Sequence, residues 1–361
     1  HIKITKMATK DELYYKALDL LKNLISNPSI SREEVKAADL IESVISSEGI
    51  TSYRKGNNVW AISPQYNLSH PTILLNSHID TVKPVAGWKK EPFMPVIEDG
   101  RLYGLGSNDA GASVVSLLSA FLYLIKTDQK YNLIFLASSE EEVSGKNGIE
   151  SILPELPVID FAIVGEPTGM APAIAEKGLI VLDCSVYGTS GHAARNEGEN
   201  AIYKALPIIS ALRDFSFPKI SENLGSIKIS VTQIQAGTQH NVIPDRCDFV
   251  VDIRTNDHYT NKEVVDILKK QIPCDITPRS LRLNSSRIEL SHPFVQRAII
   301  AGKQPFGSPT LSDQALMPFP SVKIGPGDSA RSHTADEYIK LDEIREAIEL
   351  YISLLDRLTL K

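Results

Sequence analysis

The run Ser77-His78-Ile79-Asp80-Thr81 follows a short apolar stretch, and in extended backbone residues two apart share a face. His78 and Asp80 therefore point the same way. An imidazole so placed is a metal ligand in waiting, and the carboxylate beside it can fix its orientation and basicity. A strand-end histidine in an ordinary hydrogen bond is the plain alternative. Other places in the chain repeat the theme. Asp109 is a lone acid in Gly104-Leu105-Gly106-Ser107-Asn108-Asp109-Ala110-Gly111, a poor phosphate loop because no buried strand leads straight into it and Asp109 would repel an anion. Glu140, Glu141 and Glu142 stand in a row in "NLIFLASSEEEVSG". Glu166 follows an apolar run at 161–164, and His333 lies a few residues beyond Gly325-Pro326-Gly327-Asp328. Each has a bland reading: the three glutamates suit a helix start, and Glu166 a loop cap. Gathered at one sheet edge, however, His78, Asp109, Glu142, Glu166 and His333 make a set of two imidazoles and three carboxylates. That set suits a pair of zinc ions better than calcium or magnesium. Two carboxylates 4 Å apart repel by about 1 kcal/mol in water and about 4 kcal/mol at an intermediate dielectric, and two divalent cations with one hydroxide would cancel three such charges.

The elements that must gather these residues are legible as a rhythm. Two helices open the chain, with capping-box patterns at Thr9-x-x-Glu12 and Ser31-x-x-Glu34 and a stop at Asn27-Pro28. Strands are expected at 59–62, 73–76, 133–137 and 161–164, and a buried helix at 110–125. This alternation belongs to an α/β sheet, whose ligands collect beyond the carboxyl ends of its strands. From residue 177 the order becomes strand 178–187, helix 200–213, strands 226–235 and 247–253, helix 261–271 and strand 274–279. That β-α-β-β-α-β order is ferredoxin-like. A helix at 293–302, a strand at 321–324 and a long helix at 341–358 resume the first style. The expected division is 7–176 with 291–361 as one domain and 177–290 as a domain inserted into it.

With 361 residues, 42% apolar and 23% charged, the chain reads as an ordinary globular protein of two domains. A net charge of -6 with scattered Lys and Arg argues against nucleic acid or a membrane surface and for a small-molecule partner. Cys184, Cys247 and Cys274 lack any C-x-x-C spacing, which fits core residues in a reducing compartment. The apolar stretch 110–125 is too short to span a bilayer. No signal peptide is expected, His1 to Lys6 read as an addition, and Met7 is a candidate native start.

With these motifs in this order, the chain resembles the dizinc metallohydrolases that include acetylornithine deacetylase, succinyl-diaminopimelate desuccinylase, aminoacylases and related di- and tripeptidases. The resemblance runs from the first helix to "GPGDSARSHTADEY". It implies a mixed-sheet α/β zinc-peptidase-like catalytic domain carrying an inserted ferredoxin-like dimerisation domain. It further implies two Zn²⁺, with Co²⁺ or Mn²⁺ as substitutes: His78 and Glu166 on one, Glu142 and His333 on the other, Asp109 bridging. Asp80 matches the acid supporting the first metal-bound histidine, and Glu141 the general base. Such a carboxylate, beside a ligand yet unbound, can move a proton from water to the leaving amine. His192 matches a histidine that reaches across a homodimer, where it would stabilise the oxyanion. Asn241 and Arg254 match groups that bind the substrate carboxylate, although an ion pair of Arg254 with Asp252 or Asp245 is the competing reading.

Two departures from the family pattern leave the expected ligands intact and bear on the acyl specificity. The step after the bridging acid is Ala110-Gly111 where Lys-Gly is common. Thr310-Leu311-Ser312-Asp313 carries an extra Leu311, and Gln314 stands where desuccinylases often have Gly-Arg. The expectation is a cytoplasmic, homodimeric zinc amidohydrolase acting on a small N-acylated amino acid, first N-acetylornithine in arginine synthesis. A dipeptidase, tripeptidase or desuccinylase is the alternative within the class. A non-catalytic metal-binding scaffold is the alternative outside it, against which Glu141 and Asp80 speak. A serine hydrolase is disfavoured because Gly188-Thr189-Ser190-Gly191-His192 lacks the full G-x-S-x-G turn.

Overall fold

A computed structural model describes residues 8–360, so that His1 to Lys6, Met7 and Lys361 lie outside the described residues. The chain forms two units: His1–Ile174, Ile288–Phe306 and Ser312–Lys361 make the first, Ala175–Arg287 and Gly307–Leu311 the second.

At the centre of the first unit four parallel strands lie side by side in the order Asn132–Ser138, Thr72–His78, Phe161–Val164 and Ser321–Lys323. Asn58–Ile62 adds antiparallel to Asn132–Ser138 and makes a hairpin with Ser52–Lys55. The parallel strands are apolar on both faces because both faces are covered. Ile73, Leu75, Phe135, Phe161 and Ile163 face one core, with Leu21, Ile41, Phe121 and Tyr351. Leu74, Ile134, Leu136, Ala162 and Val164 face the other, with Ile149 and Ile152. The helices Lys10–Ser26, Val35–Ser47, Ala112–Leu124 and Leu341–Leu355 supply the first core. Ala112–Leu124 is buried at nearly every position, as its unbroken apolarity requires. Its first turn reaches the strand ends because glycines make room: a Cβ on Gly165 would lie 2.7 Å from Leu117 Cδ1, and one on Gly325 2.4 Å from Ser113 Oγ. Among the described residues no helix is long and apolar enough to cross a membrane.

The second unit is a four-stranded antiparallel sheet in the order Lys228–Ala236, Arg246–Thr255, Gly178–Tyr187, Asp275–Pro278, with helices Ala201–Asp214 and Asn261–Gln271. This is the ferredoxin-like arrangement. All three cysteines sit in this unit, Cys184 and Cys247 buried and none in a disulfide.

Two local expectations fail. Thr9 and Glu12 do form a capping box, but Ser31 and Glu34 do not: the second helix begins at Val35 after Glu34, with no side-chain cap. Tertiary partners take both side chains. Nor do the three glutamates start a helix. Glu140 is left-handed at φ 56°, Glu141–Val143 is a single 3-10 turn, and the next α-helix, Ile149–Ile152, is one turn long. A small three-stranded sheet of Val96–Glu98, Arg101–Tyr103 and Tyr338–Lys340 had no signal in the sequence. Its strands are three residues each, and the third comes from far along the chain.

Candidate metal centre

The four parallel strands end together, and each delivers an acid or an imidazole. His78 closes its strand. Its Nδ1 lies 2.9 Å from the main-chain oxygen of Asp80 and 3.4 Å from Asp80 Oδ1. A carbonyl oxygen only accepts, so Nδ1 carries the hydrogen and Nε2 faces the cluster. There Nε2 stands 3.1 Å from Asp109 Oδ1, 3.7 Å from Glu166 Oε1 and 3.9 Å from Glu141 Oε2. The second oxygen of Asp109 is 3.6 Å from His333 Nε2, which lies 3.0 Å from Glu142 Oε2. One carboxylate thus faces two imidazoles with its two oxygens.

Among the described residues, three groups of potential ligand atoms fall within 4.8 Å of one another: His78, Asp109 and Glu166; Asp109, Glu142 and His333; and His78, Glu141 and Glu142. The first two share Asp109 and contain all five residues of the expected ligand set. The third brings Glu141 into the same cluster. Glu140 turns away, its carboxylate folded against Gly145 and 3.3 Å from Asn147 Nδ2.

The electrostatics fit cations. Burial lifts Glu141 and Glu166 well above the usual carboxylate range, against the pull of His78. Burial raises Glu142 as well. His78 is pulled down by burial, yet Glu141 and Glu166 carry it well above the ordinary imidazole value, and the Glu142 hydrogen bond pushes His333 up to about 9. The three glutamates and both imidazoles shift toward their protonated forms, the response of a donor set short of positive charge, while Asp109, raised by burial, is brought below the ordinary carboxylate value by the His78 hydrogen bond. Divalent cations would displace those protons, so the residues present fit the expected metals.

Asp80 does more than lie beside His78, whose Nδ1 is 3.4 Å from its Oδ1. The imidazole takes the nearer main-chain oxygen, while the carboxylate, fully buried, receives the Glu141 amide on Oδ1 at 3.0 Å and the Glu142 amide on Oδ2 at 3.1 Å. It anchors the turn that carries the two glutamates.

Several residues of this centre escaped sequence reasoning. Glu337, 2% exposed, receives the amides of Gly106, Asn108 and Asp109 at 2.9, 2.9 and 2.8 Å. Asn108 answers from the other side, binding Asp328 N through Oδ1 and Asp328 O through Nδ2, both at 3.0 Å. The loops bearing Asp109 and His333 are thereby clasped to each other. The only available signal was an acid four residues after His333, which composition does not distinguish from a surface charge. Asp313 is also buried, receiving Asn76 Nδ2 at 3.0 Å and Ser138 Oγ at 2.6 Å. Gln314 turns inward to Ser321 Oγ at 2.9 Å. The Ser312-Asp313-Gln314 step, expected in the substrate pocket, is thus engaged with the protein itself.

His192, Asn241 and Arg254 belong to the second unit. His192 and Asn241 are exposed neighbours: Gly191–His192 pairs with Val242–Ile243, and Asn241 O receives the Ala193 amide at 3.0 Å. Arg254 is not with them. It pairs with Leu179 at the start of strand Gly178–Tyr187, whereas His192 follows the far end, where Arg246 pairs with Tyr187. Eight residues of strand separate the two ends by roughly 26 Å. The Arg254 fork already holds Asp252, with hydrogen bonds of 2.8 and 3.1 Å, as the competing reading had it.

Comparison with known proteins agrees with this geometry. The family Peptidase family M20/M25/M40 matches residues 74–357. Succinyl-diaminopimelate desuccinylase of Stenotrophomonas maltophilia is 27% identical over 377 residues, covering 94% of this chain and 98% of that protein. The desuccinylase of Buchnera aphidicola from Cinara cedri is 30% identical over 279 residues, with 71% and 73% covered. Among solved structures, aminopeptidase PepT of Bacillus cereus has a TM-score of 0.76 at 17% identity, with 95% and 98% covered. YXEP of Bacillus subtilis, a dinuclear metal-binding peptidase, has 0.73 at 17%, with 96% and 98% covered.

Proposed function

The chain belongs to peptidase family M20/M25/M40, metal-dependent hydrolases of amide bonds, and on that premise we propose that it removes the N-acyl group from a small α-amino acid. The observation that carries the reading is Asp109, whose two oxygens face His78 and His333 at 3.1 and 3.6 Å, with Glu141 in the same cluster. In this proposal His78 and Glu166 hold one zinc, Glu142 and His333 the other, and Asp109 both. When bound, the ions supply a water of lowered pKa and a polarised carbonyl. Glu141 then does the proton work. Its carboxylate takes a proton from the attacking water and delivers it to the leaving nitrogen as the C–N bond breaks, leaving a free amine and a carboxylic acid. The burial that raises Glu141 suits a group that must hold a proton between those two steps.

His192 would hydrogen-bond the developing oxyanion, and Asn241 and Arg254 would hold the substrate carboxylate. Arg254 would exchange Asp252 for that carboxylate. Because Arg254 and the His192–Asn241 pair lie at opposite ends of one sheet, a single bound molecule is served more readily by two chains than by one. A homodimer through the second unit has further support in its edge strand Lys228–Ala236, with Ile234 57% exposed, and in Tyr203 and Leu206, 72% and 54% exposed on the helix Ala201–Asp214. Sedimentation equilibrium tests this; a monomer at micromolar concentration would contradict it.

N-acetylornithine is the first substrate proposed, in arginine synthesis. The inward turn of Gln314 leaves nothing cationic at the position where desuccinylases often carry Gly-Arg. Succinyl-diaminopimelate is the second, favoured by the names of the relatives. Incubating zinc-loaded protein with both, with N-succinylornithine, N-acetylcitrulline and several dipeptides, and measuring amine release, separates them. Release from none would overturn the proposal and favour a metal-binding scaffold.

A further inference from the structure

The turn that carries Glu141 and Glu142 is held by its amides. Four successive N–H groups after the strand Asn132–Ser138 donate to side-chain oxygens from other parts of the chain. Ser139 donates to Asn58 Oδ1 at 2.9 Å and Glu140 to Glu34 Oε1 at 3.1 Å, while Glu141 and Glu142 donate to the two oxygens of Asp80. Such a run of backbone donors normally finds its partners in a helix or a sheet. Here the backbone is also strained, since Glu140 is a non-glycine residue in the left-handed region, at φ 56°. The acceptors compensate for both.

Two of these acceptors lead back to one segment, Ser29 to Glu34. Ser31 Oγ donates to Asp80 Oδ2 at 2.6 Å, the same oxygen that receives the Glu142 amide. A carboxylate can swing about its terminal torsion, and a third bond at Oδ2 pins it with one oxygen under each amide. Glu34 is completely buried. Its Oε1 receives Arg32 N at 2.7 Å as well as Glu140 N, and its Oε2 receives Asn57 Nδ2 at 2.7 Å. The segment is itself tied to the chain just past His78: Ser31 N donates to Thr81 O at 3.2 Å, Thr81 N to Ser29 O at 2.9 Å, and Ser29 Oγ to Ile79 O at 2.8 Å. The pattern that resembled a helix cap is a strut behind the site.

We propose that Ser31 and Glu34 are positioning residues for Glu141, Ser31 acting through Asp80 and Glu34 through the Glu140 amide. The inference rests on the reading of Glu141 as the base. A base must keep hydrogen-bond reach to the water it deprotonates, and a misplacement of about 1 Å can cost about 100-fold. The strut touches neither substrate nor metal, so its removal should leave substrate binding alone; because Asp80 Oδ2 also receives the amide of Glu142, zinc is kept saturating and its content measured.

The test is a cycle of Ser31→Ala, Glu141→Gln and the double variant, with Ser31→Thr as rescue and Glu34→Gln as a second probe. All are assayed at saturating zinc, with zinc per chain measured by elemental analysis. Ser31→Ala should lower kcat roughly 10- to 100-fold. KM should stay within about twofold and zinc content at the parent value. Ser31→Thr, which keeps the hydroxyl, should recover most of the loss, and Glu34→Gln should lower kcat with KM unchanged. On the Glu141→Gln background, with zinc saturating so that the place of Glu142 is held, Ser31→Ala should cost little further, because the group through which it acts on turnover is gone. Full kcat in both Ser31→Ala and Glu34→Gln beside an inactive Glu141→Gln would overturn the strut and leave the base standing. An equal loss on both backgrounds would also overturn it. Full turnover by Glu141→Gln would remove the base reading and the strut with it.

Discussion

Replacing Glu337 with alanine should loosen the two loops that present Asp109 and His333, and the size of the effect follows from three hydrogen bonds. Gly106 N reaches Oε2, while Asn108 N and Asp109 N share Oε1, all at 2.8–2.9 Å and all buried or nearly so. Each amide left without a partner costs about 1–3 kcal/mol, which sums to about 3–9 kcal/mol. Water entering the space of the lost carboxyethyl group would satisfy part of this, so about 3–5 kcal/mol is expected. Glu337→Gln keeps an oxygen for Asn108 and Asp109 and loses the bond to Gly106, for about 1–2 kcal/mol. Urea unfolding of the metal-free protein measures both. Because Glu337 belongs to the same segment as His333, a zinc held, as proposed, by Asp109 and His333 together should bind at least about tenfold more weakly in Glu337→Ala, equivalent to about 1.4 kcal/mol. Isothermal titration with zinc measures that second quantity. Metal-free stability within about 1 kcal/mol of the parent, together with an unchanged zinc isotherm, would refute the reasoning.

Three further outcomes are expected. Glu141→Gln keeps the shape and removes the proposed base, so kcat should fall by about 10²–10⁴ while two zinc ions per chain remain; elemental analysis showing a lost ion would make Glu141 a ligand. If Arg254 grips the substrate carboxylate, Arg254→Ala should raise KM strongly and Asp252→Asn should lower it, and neither should respond to a substrate whose carboxylate is amidated; equal responses to both substrates would exclude the contact. Glu48 accepts from Lys16 at 2.6 Å and Lys126 at 3.2 Å, and the Lys16 bond holds its carboxyl below the ordinary value of 4.5. Its folded-state value being depressed, the stabilisation is present above the unfolded value and lost as pH falls through the folded one. Glu48→Gln should therefore cost about 0.5–1 kcal/mol at pH 7 and nothing near pH 3, which thermal unfolding at the two pH values checks.

The cluster of candidate ligands was legible because its logic is local: a buried strand, then an acid or imidazole at its carboxyl end, and the structure brings His78, Asp109, Glu142, Glu166 and His333 together. Strand positions were legible for the same reason, since an apolar run covered on both faces, such as 133–137, has few other uses. The supporting groups were not. Ser31 and Glu34 have the types and spacing of a helix cap, and only the approach of Asp80 and Glu140 from 49 and 106 residues away gives them other partners. Glu337 is one acid among several in its stretch until three amides converge on it. Arg254 shows the limit from the other side. The sequence allowed both an ion pair and a substrate contact, and the pairing with Asp252 appears only when the strand is folded.

The central claim is a pair of cations joined by Asp109. Anomalous diffraction at the zinc edge from zinc-loaded crystals tests it most directly. Two peaks about 3.5–4 Å apart are expected, one against His78 and Glu166, the other against Glu142 and His333, with Asp109 between and Glu141 outside both coordination shells. A single peak, or a metal coordinated by His78, Glu141 and Glu142, would contradict it.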